Sequence, residues 1–89
     1  MPTISMFYGI IVRLYFMDNK QHHTPHIHVI YQEHEVVVSI ADGSVIDGSI
    51  PGNKMKLLIA WMEIHHDEIV ADWDLAISGQ EIYKIEPLR

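Results

Sequence analysis

The chain changes its pattern of apolar residues at Pro51-Gly52-Asn53. Beyond this point the apolar residues recur at helical spacing, at Leu58, Met62, Ile69 and Trp73. This spacing predicts a helix from residue 54 to about residue 77, with Gly79 as its stop signal. A straight helix of about 24 residues would be ~36 Å long, so we expect a break near residues 65–67.

Before that point, four stretches rich in β-branched and aromatic residues predict β-strands. They cover residues 4–16 (with a bend at Gly9), 26–31, 35–40 and 44–50. Turns are predicted near Gln32-Glu33 and at Asp42-Gly43, and residues 81–85 alternate again. We therefore expect an α+β fold: a mostly antiparallel β-meander packed against one long or broken helix, with a final C-terminal strand.

The length of 89 residues predicts a single domain, residues 1–89. The absence of cysteine excludes disulfides, thiolate metal sites and cysteine nucleophiles, and fits a cytoplasmic location. No stretch approaches the ~20 apolar residues that a membrane span needs. The apolar run at residues 10–16 lacks the basic leader of a signal peptide. We expect a cytoplasmic protein that does not contact the membrane.

The formal net charge is −6, which argues against broad phosphate binding through a basic surface. Protonation of all seven histidines would change it to +1, so charge-dependent contacts should respond to pH near neutrality. Direct nucleic-acid binding therefore stays open. Five carboxylates are predicted to form a solvated acidic helix face: Glu63, Asp67, Glu68, Asp72 and Asp74.

Four of the seven histidines lie within residues 22–28. Pro25 favours an extended backbone at Thr24, which predicts a loop that leads into a strand. Side chains alternate along a strand, so His26 and His28 should share one face, with His23 arriving from the loop. His65 falls on the apolar helix stripe and should face the sheet, where it could approach these histidines.

Three kinds of site fit this cluster. In the first, two histidines act as general base and general acid while Arg13 or a lysine stabilises negative charge, as in metal-free cleavage of RNA. In the second, neutral imidazoles bind a transition metal. In the third, the cluster is structural or forms a protein interface, and Arg13 only snorkels or pairs with a carboxylate. The candidate site residues are His23, His26, His28, His65 and Arg13.

Several stretches also resemble a known family. They are Met1-Pro2-Thr3-Ile4-Ser5-Met6-Phe7-Tyr8-Gly9-Ile10, Pro25-His26-Ile27-His28-Val29, Asp42-Gly43, Ala60-Trp61-Met62-Glu63-Ile64-His65, and Trp73 with Ile85-Glu86-Pro87-Leu88. Over essentially its whole length the chain resembles a family of short bacterial proteins, the domain of unknown function numbered 4160. Two positions depart from the family pattern: Gln32 stands where a turn glycine is usual, and Thr24 where many members have a second proline.

The resemblance implies a partner and a role. Family members are often encoded beside a second small protein, in an arrangement like a type II toxin–antitoxin module with this family as the toxin. The pattern of His23, Pro25, His26 and His28, together with His65, corresponds to recurrent family positions. The acidic charge fits a target other than ribosome-bound RNA, or a subunit that works in a complex. A noncatalytic protein-binding module, a histidine-ligated metal protein and a homodimer stay open as alternatives.

Overall fold

The computed structural model describes residues 2–14 and 24–89. Within these residues the chain forms five strands followed by two helices. The strands are β1 (Thr3–Phe7), β2 (Ile10–Arg13), β3 (His26–Tyr31), β4 (His34–Ser39) and β5 (Val45–Ser49), and the helices are α1 (Gly52–Ile64) and α2 (His66–Ile77). Each strand pairs antiparallel with the next in chain order. The predicted α+β class and antiparallel meander are confirmed.

The first predicted strand is in fact two. A two-residue turn at Tyr8-Gly9 separates β1 from β2, and Phe7 pairs with Ile10 across it. Both turn residues have positive φ angles, 49° and 80°, as the tight turn preferred in hairpins requires. The prediction of one strand bent at Gly9 was therefore wrong, because the glycine completes a reversal of the chain. Residues 15 and 16 of that prediction lie outside the described residues.

The helical region also differs from the prediction. One long or broken helix was expected, whereas the chain forms two separate helices; they meet at His65, within the range 65–67 predicted for the break, where φ is −109° and ψ is 21°. A straight helix of about 36 Å would exceed the 34 Å length of the molecule. Two shorter helices let Leu58 and Trp61 of α1 and Ile69 of α2 reach the same core.

The final C-terminal strand is not formed. Residues 80–89 run alongside the other elements without regular secondary structure, although the Ile85 amide donates to the Ile4 carbonyl at 2.8 Å. Side chains of the helices form hydrogen bonds with other backbone groups of this tail. Asp72 Oδ1 accepts from the Tyr83 amide at 3.0 Å, and Trp61 Nε1 donates to the Glu86 carbonyl at 2.8 Å. These three hydrogen bonds hold the tail, in place of the regular backbone pairing that a sixth strand would have.

One face of the sheet lies against the helices. Its buried side chains include Ile10, Val12, Ile27, Val29, Val36 and Val38, all of which belong to the core cluster with Trp61 and Leu58. The ring of Phe7 lies 5.3 Å from that of Trp61, centroid to centroid. Because side chains alternate along each strand, Arg13 and His28 belong to the opposite face. The candidate site is therefore built on the face that α1 does not cover.

Candidate functional site

The candidate site crosses the three central strands. In the β2–β3 pairing Arg13 lies directly opposite His28, and in the β3–β4 pairing His26 lies opposite Ser39. Alternation places His26 and His28 on the same face of β3, as predicted, and their rings lie 5.2 Å apart in an edge-on arrangement. The structure thus brings together three of the predicted residues: Arg13, His26 and His28.

Glu35 joins this group, although it was not predicted. His28 Nδ1 lies 3.0 Å from Glu35 Oε2 across the β3–β4 hairpin. The imidazole of His28 is 9% exposed and the carboxylate of Glu35 is 53% exposed, so a nearly buried ring is bonded to a carboxylate that contacts solvent. Since a carboxylate only accepts, His28 donates through Nδ1–H, which fixes the orientation of its ring. A carboxylate that orients a histidine in this way is common where the ring acts as a general base.

The hairpin register is the signal that could have revealed Glu35. A two-residue turn at Gln32-Glu33 makes Tyr31 the partner of His34 and Ile30 the partner of Glu35. Glu35 is then the diagonal neighbour of His28 on the same face, within reach of a long side chain. The turn at Gln32-Glu33 was predicted, but the register that follows from it was not.

His26 occupies the most enclosed position of the group. It is fully buried, and its Nδ1 donates to the Thr24 carbonyl at 2.7 Å. Its ring also lies 5.4 Å from that of Trp73. Trp73 belongs to α2, which reaches the end of the sheet where β3 begins and shares a cleft there with Pro25 and Ile40. These contacts fit a histidine that supports the site from within.

Arg13, on β2, is the member of the group for which the structure shows a nitrogen atom unpartnered among the described residues. Its side chain is partly buried, and its Nε atom has no hydrogen-bond partner in the part of the chain that the structure describes. Pairing of Arg13 with a carboxylate, one of the two structural alternatives, is not observed within residues 2–14 and 24–89, and snorkelling of its side chain stays a prediction. A guanidinium group placed beside a histidine can bind or stabilise an oxyanion.

His65 lies in a different environment. Its Nδ1 is 2.5 Å from Glu68 Oε1, and its ring lies 5.7 Å from that of Trp61. Trp61 belongs to the core cluster with Ile10 and Val12, on the face of the sheet opposite Arg13 and His28. A role for His65 stays a prediction, and in this position the ring contributes to the junction between the two helices.

His23 lies outside the described residues, so its predicted place in the site stays a prediction. Among the residues that the structure does describe, no group of three or more His, Cys, Asp or Glu side chains is arranged to hold a metal ion. His26 and His28 alone supply two imidazoles, so the metal alternative depends on a further ligand.

One carboxylate of the predicted acidic helix face is buried instead. Asp72 is 3% exposed, and its Oδ2 has no hydrogen-bond partner among the described residues. Burial raises the pKa of Asp72 and the nearby Glu68 charge raises it further, while the hydrogen bond from the Tyr83 amide acts in the opposite direction. The prediction that Asp72 is solvated was wrong, because the C-terminal tail packs over it.

Together these features define an α+β protein with an Arg–His–Glu group across the middle of an antiparallel sheet. The chain belongs to the family described as Domain of unknown function (DUF4160), whose model matches residues 9–74. All five candidates and Glu35 fall within the matched range, which leaves out β1 and the tail. Searches among curated proteins and among solved structures gave no match. None of the helices found in the described residues has the length and apolar character to cross a bilayer.

Proposed function

We propose that this chain is the toxin-like component of a bacterial type II toxin–antitoxin module and uses acid–base chemistry of the RNase type. The observation that carries the proposal is the alignment of Arg13, His28 and Glu35 on three adjacent strands. Membership of the family supports the module, because the family resemblance implies a cognate partner. The chemistry is proposed from the side chains themselves.

Each member of the group has a role in this proposal. Glu35 holds the His28 ring through Nδ1–H, so that proton transfer takes place at Nε2. In RNA cleavage a base removes the proton of a 2′-hydroxyl, whose oxygen attacks phosphorus. An acid then returns a proton to the departing 5′-oxygen, and a cyclic phosphate forms. Arg13, opposite His28, would stabilise the negative charge that grows on the phosphate oxygens.

The proposed partner is a small antitoxin-like protein encoded nearby, and the proposed location is cytoplasmic. The net charge of −6 supports a toxin that does not bind ribosomal RNA through a broad surface. A homodimer also stays a prediction, and light scattering after gel filtration would measure the mass in solution.

The test is growth of a bacterial host after induction of this chain, with expression checked by blotting. We expect arrest by the wild type, growth with His28→Ala, and growth when the neighbouring protein is expressed at the same time. His34→Ala is the matched control, because His34 is an exposed histidine three residues after Tyr31 and outside the Arg–His–Glu group.

The outcomes separate clearly. Arrest by the wild type and His34→Ala together with growth of folded His28→Ala supports a toxin that acts through His28. Normal growth with well-expressed wild type contradicts the toxin assignment. Arrest by all three proteins keeps the toxin but removes His28 from its mechanism.

A noncatalytic protein-binding module is the second candidate function. The burial of His26 and His28 favours it, because rings enclosed to this degree often serve to hold a surface in place. This candidate requires binding of the cognate partner to weaken in His28→Ala, with no turnover to lose. An affinity unchanged by that substitution and between about pH 5 and 8, where histidine titrates, would count against it. Elemental analysis of untagged protein tests the metal alternative.

A further inference from the structure

We infer that Arg13 and His28 form a binding site for a single phosphate-class oxyanion. The inference deepens the proposed function and rests on it, because it assigns the substrate class of the same site. It concerns binding alone and can be measured without turnover.

The Nε atom of Arg13, unpartnered among the described residues, is the main observation. The chain has 12 acidic and six basic residues, so a cation has many carboxylates available to it. The Arg13 Nε atom is nevertheless buried and without an acceptor among residues 2–14 and 24–89. Leaving a buried charged donor without an acceptor destabilises the chain, so a ligand oxygen that reached this group would stabilise it. Guanidinium groups match phosphate oxygens in both charge and geometry.

The surrounding strands favour an anion at this position. His28 is the direct cross-strand neighbour of Arg13, and in its protonated form it adds a second positive charge there. The carboxylate that bonds to His28 comes from β4, which is two strands away from β2. Since adjacent strands lie about 4.8 Å apart, the strand of Glu35 is roughly 10 Å from that of Arg13. Glu35 can therefore orient His28 without forming an ion pair with the Arg13 guanidinium group.

The charge of the whole chain limits the ligand to one phosphate group at a time. A surface with a net charge of −6 repels a polyanion, whereas a single guanidinium can still bind one phosphate locally. A mononucleotide or one phosphodiester of a short strand would supply this chemistry equally well. The two sources differ in salt dependence, because each phosphate contact on a single strand contributes a slope of about −0.7 to the log–log plot.

The experiment is a titration of the amide spectrum of the full chain with inorganic phosphate, with uridine monophosphate and with a short oligouridylate. Arg13→Gln is the test variant. Lys56→Gln is the matched control, because it removes the same charge from an exposed position on α1. The spectrum of each variant without ligand reports whether it folds.

We expect saturable shifts around Arg13 and His28, a loss of at least about tenfold in affinity with Arg13→Gln, and a change below about twofold with Lys56→Gln. A salt slope near −0.7 for the oligouridylate would confirm one phosphate contact. Absence of saturable shifts with all three ligands, or equal loss in both variants, overturns the inference. If Arg13→Gln does not fold, Arg13→Met replaces it, because it keeps an apolar stem and removes the charge, and an affinity equal to that of the wild type is then the overturning result.

The two proposals fail in different ways. Arg13-dependent phosphate binding without growth arrest keeps this inference and removes the toxin. Growth arrest that depends on His28, without phosphate binding, keeps the toxin and overturns this inference.

Discussion

The carbonyl of Thr24 determines which nitrogen of His26 carries a proton. A carbonyl only accepts hydrogen bonds, so the proton lies on Nδ1, 2.7 Å from that oxygen. The same argument applies to His28, whose Nδ1 faces the Glu35 carboxylate. In the neutral state both rings are therefore Nδ1–H tautomers, and proton exchange with a substrate would take place at Nε2.

We predict that NMR spectra of the neutral rings will show the Nδ1–H tautomer at His26 and His28. The ring ¹⁵N shifts distinguish the two tautomers directly. Exposed His34 serves as the reference, because its Nε2 lies only loosely opposite Glu33, at 3.8 Å. An Nε2–H tautomer at His28 would contradict the orientation that the proposed mechanism needs.

Asp72 makes stability depend on pH. Burial raises the pKa of Asp72 in the folded chain, so the folded state keeps this proton to a higher pH than the unfolded state does. The contribution to stability is fully present below the unfolded pKa and is lost as the pH rises through the folded pKa. At neutral pH the buried carboxylate therefore reduces the free energy of unfolding.

We predict that Asp72→Asn will gain stability relative to the wild type between about pH 4 and pH 7. The amide oxygen can still accept from the Tyr83 amide, while the buried charge is removed. Urea unfolding at the two pH values measures the change. Asp74→Asn, on the more accessible side of the same helix, is the control and should show a smaller difference. An equal gain for both variants would contradict the effect of burial.

The β4–β5 pair depends on the absence of a side chain at Gly48. This residue has a φ angle of 75°, and a Cβ built there would lie 2.2 Å from the Glu35 carbonyl oxygen. The glycine thus allows β5 to approach the strand that presents Glu35 to His28. A larger residue would have to move backbone rather than a flexible side chain.

We predict that Gly48→Ala will lower the free energy of unfolding by about 1–3 kcal/mol, because both the positive φ and the backbone approach resist a methyl group. Gly52→Ala is the opposite case: nothing lies within 4 Å of its Cβ position. It should be neutral or stabilise the chain by up to about 1 kcal/mol. Urea unfolding measures both variants, and equal effects would contradict the close approach at Gly48.

The C-terminal tail is a packed element despite its irregular backbone. Ile85 is 6% exposed and belongs to the core cluster, and its amide bonds to Ile4. We predict that Ile85→Ala will destabilise the chain by about 2 kcal/mol or more, as the loss of a buried isoleucine side chain does in a core. Ile64→Ala, where the side chain is 66% exposed, should stay within about 0.5 kcal/mol. Thermal unfolding compares them, and equal melting temperatures would show that the tail is not docked.

Local patterns predicted some elements well and failed at others for physical reasons. Strand β3 and the turn at Gln32-Glu33 follow from alternation and turn composition, which are properties of neighbouring residues. The conformation of residues 81–85 depends on Trp61 and Asp72, which are distant in sequence and form hydrogen bonds with backbone groups of the tail. Alternation shows that a segment can form a strand, but it does not show that a strand edge is free to pair with it.

The candidate site divides in the same way. The shared face of His26 and His28 follows from their spacing, and Arg13 was identified as a possible oxyanion partner from its chemistry. The meeting of Arg13 with His28 depends on the register between β2 and β3. The approach of His65 to these histidines stays a prediction, because sequence does not show which face of a sheet a helix covers.

At the scale of the whole molecule, one core joins the sheet, both helices and the tail. Its members range from Ile4 to Ile85 in the sequence. We predict a single unfolding transition, with coincident midpoints for far-ultraviolet circular dichroism and tryptophan fluorescence. Trp61 is buried in the core, and Trp73 lies beside His26. Separate midpoints would contradict the prediction that residues 1–89 form a single domain.

The pairing of β2 with β3 has a consequence for how variants of this protein should be interpreted. Side chains on a strand repeat every two residues, so a slip of one residue between these strands would turn Arg13 away from the face that carries His28. Such a slip has no intermediate position. A substitution in either strand can therefore abolish the proposed activity without touching the site, and the resulting protein can still be folded. Activity lost in this way would report an altered alignment of the backbone rather than a missing functional group.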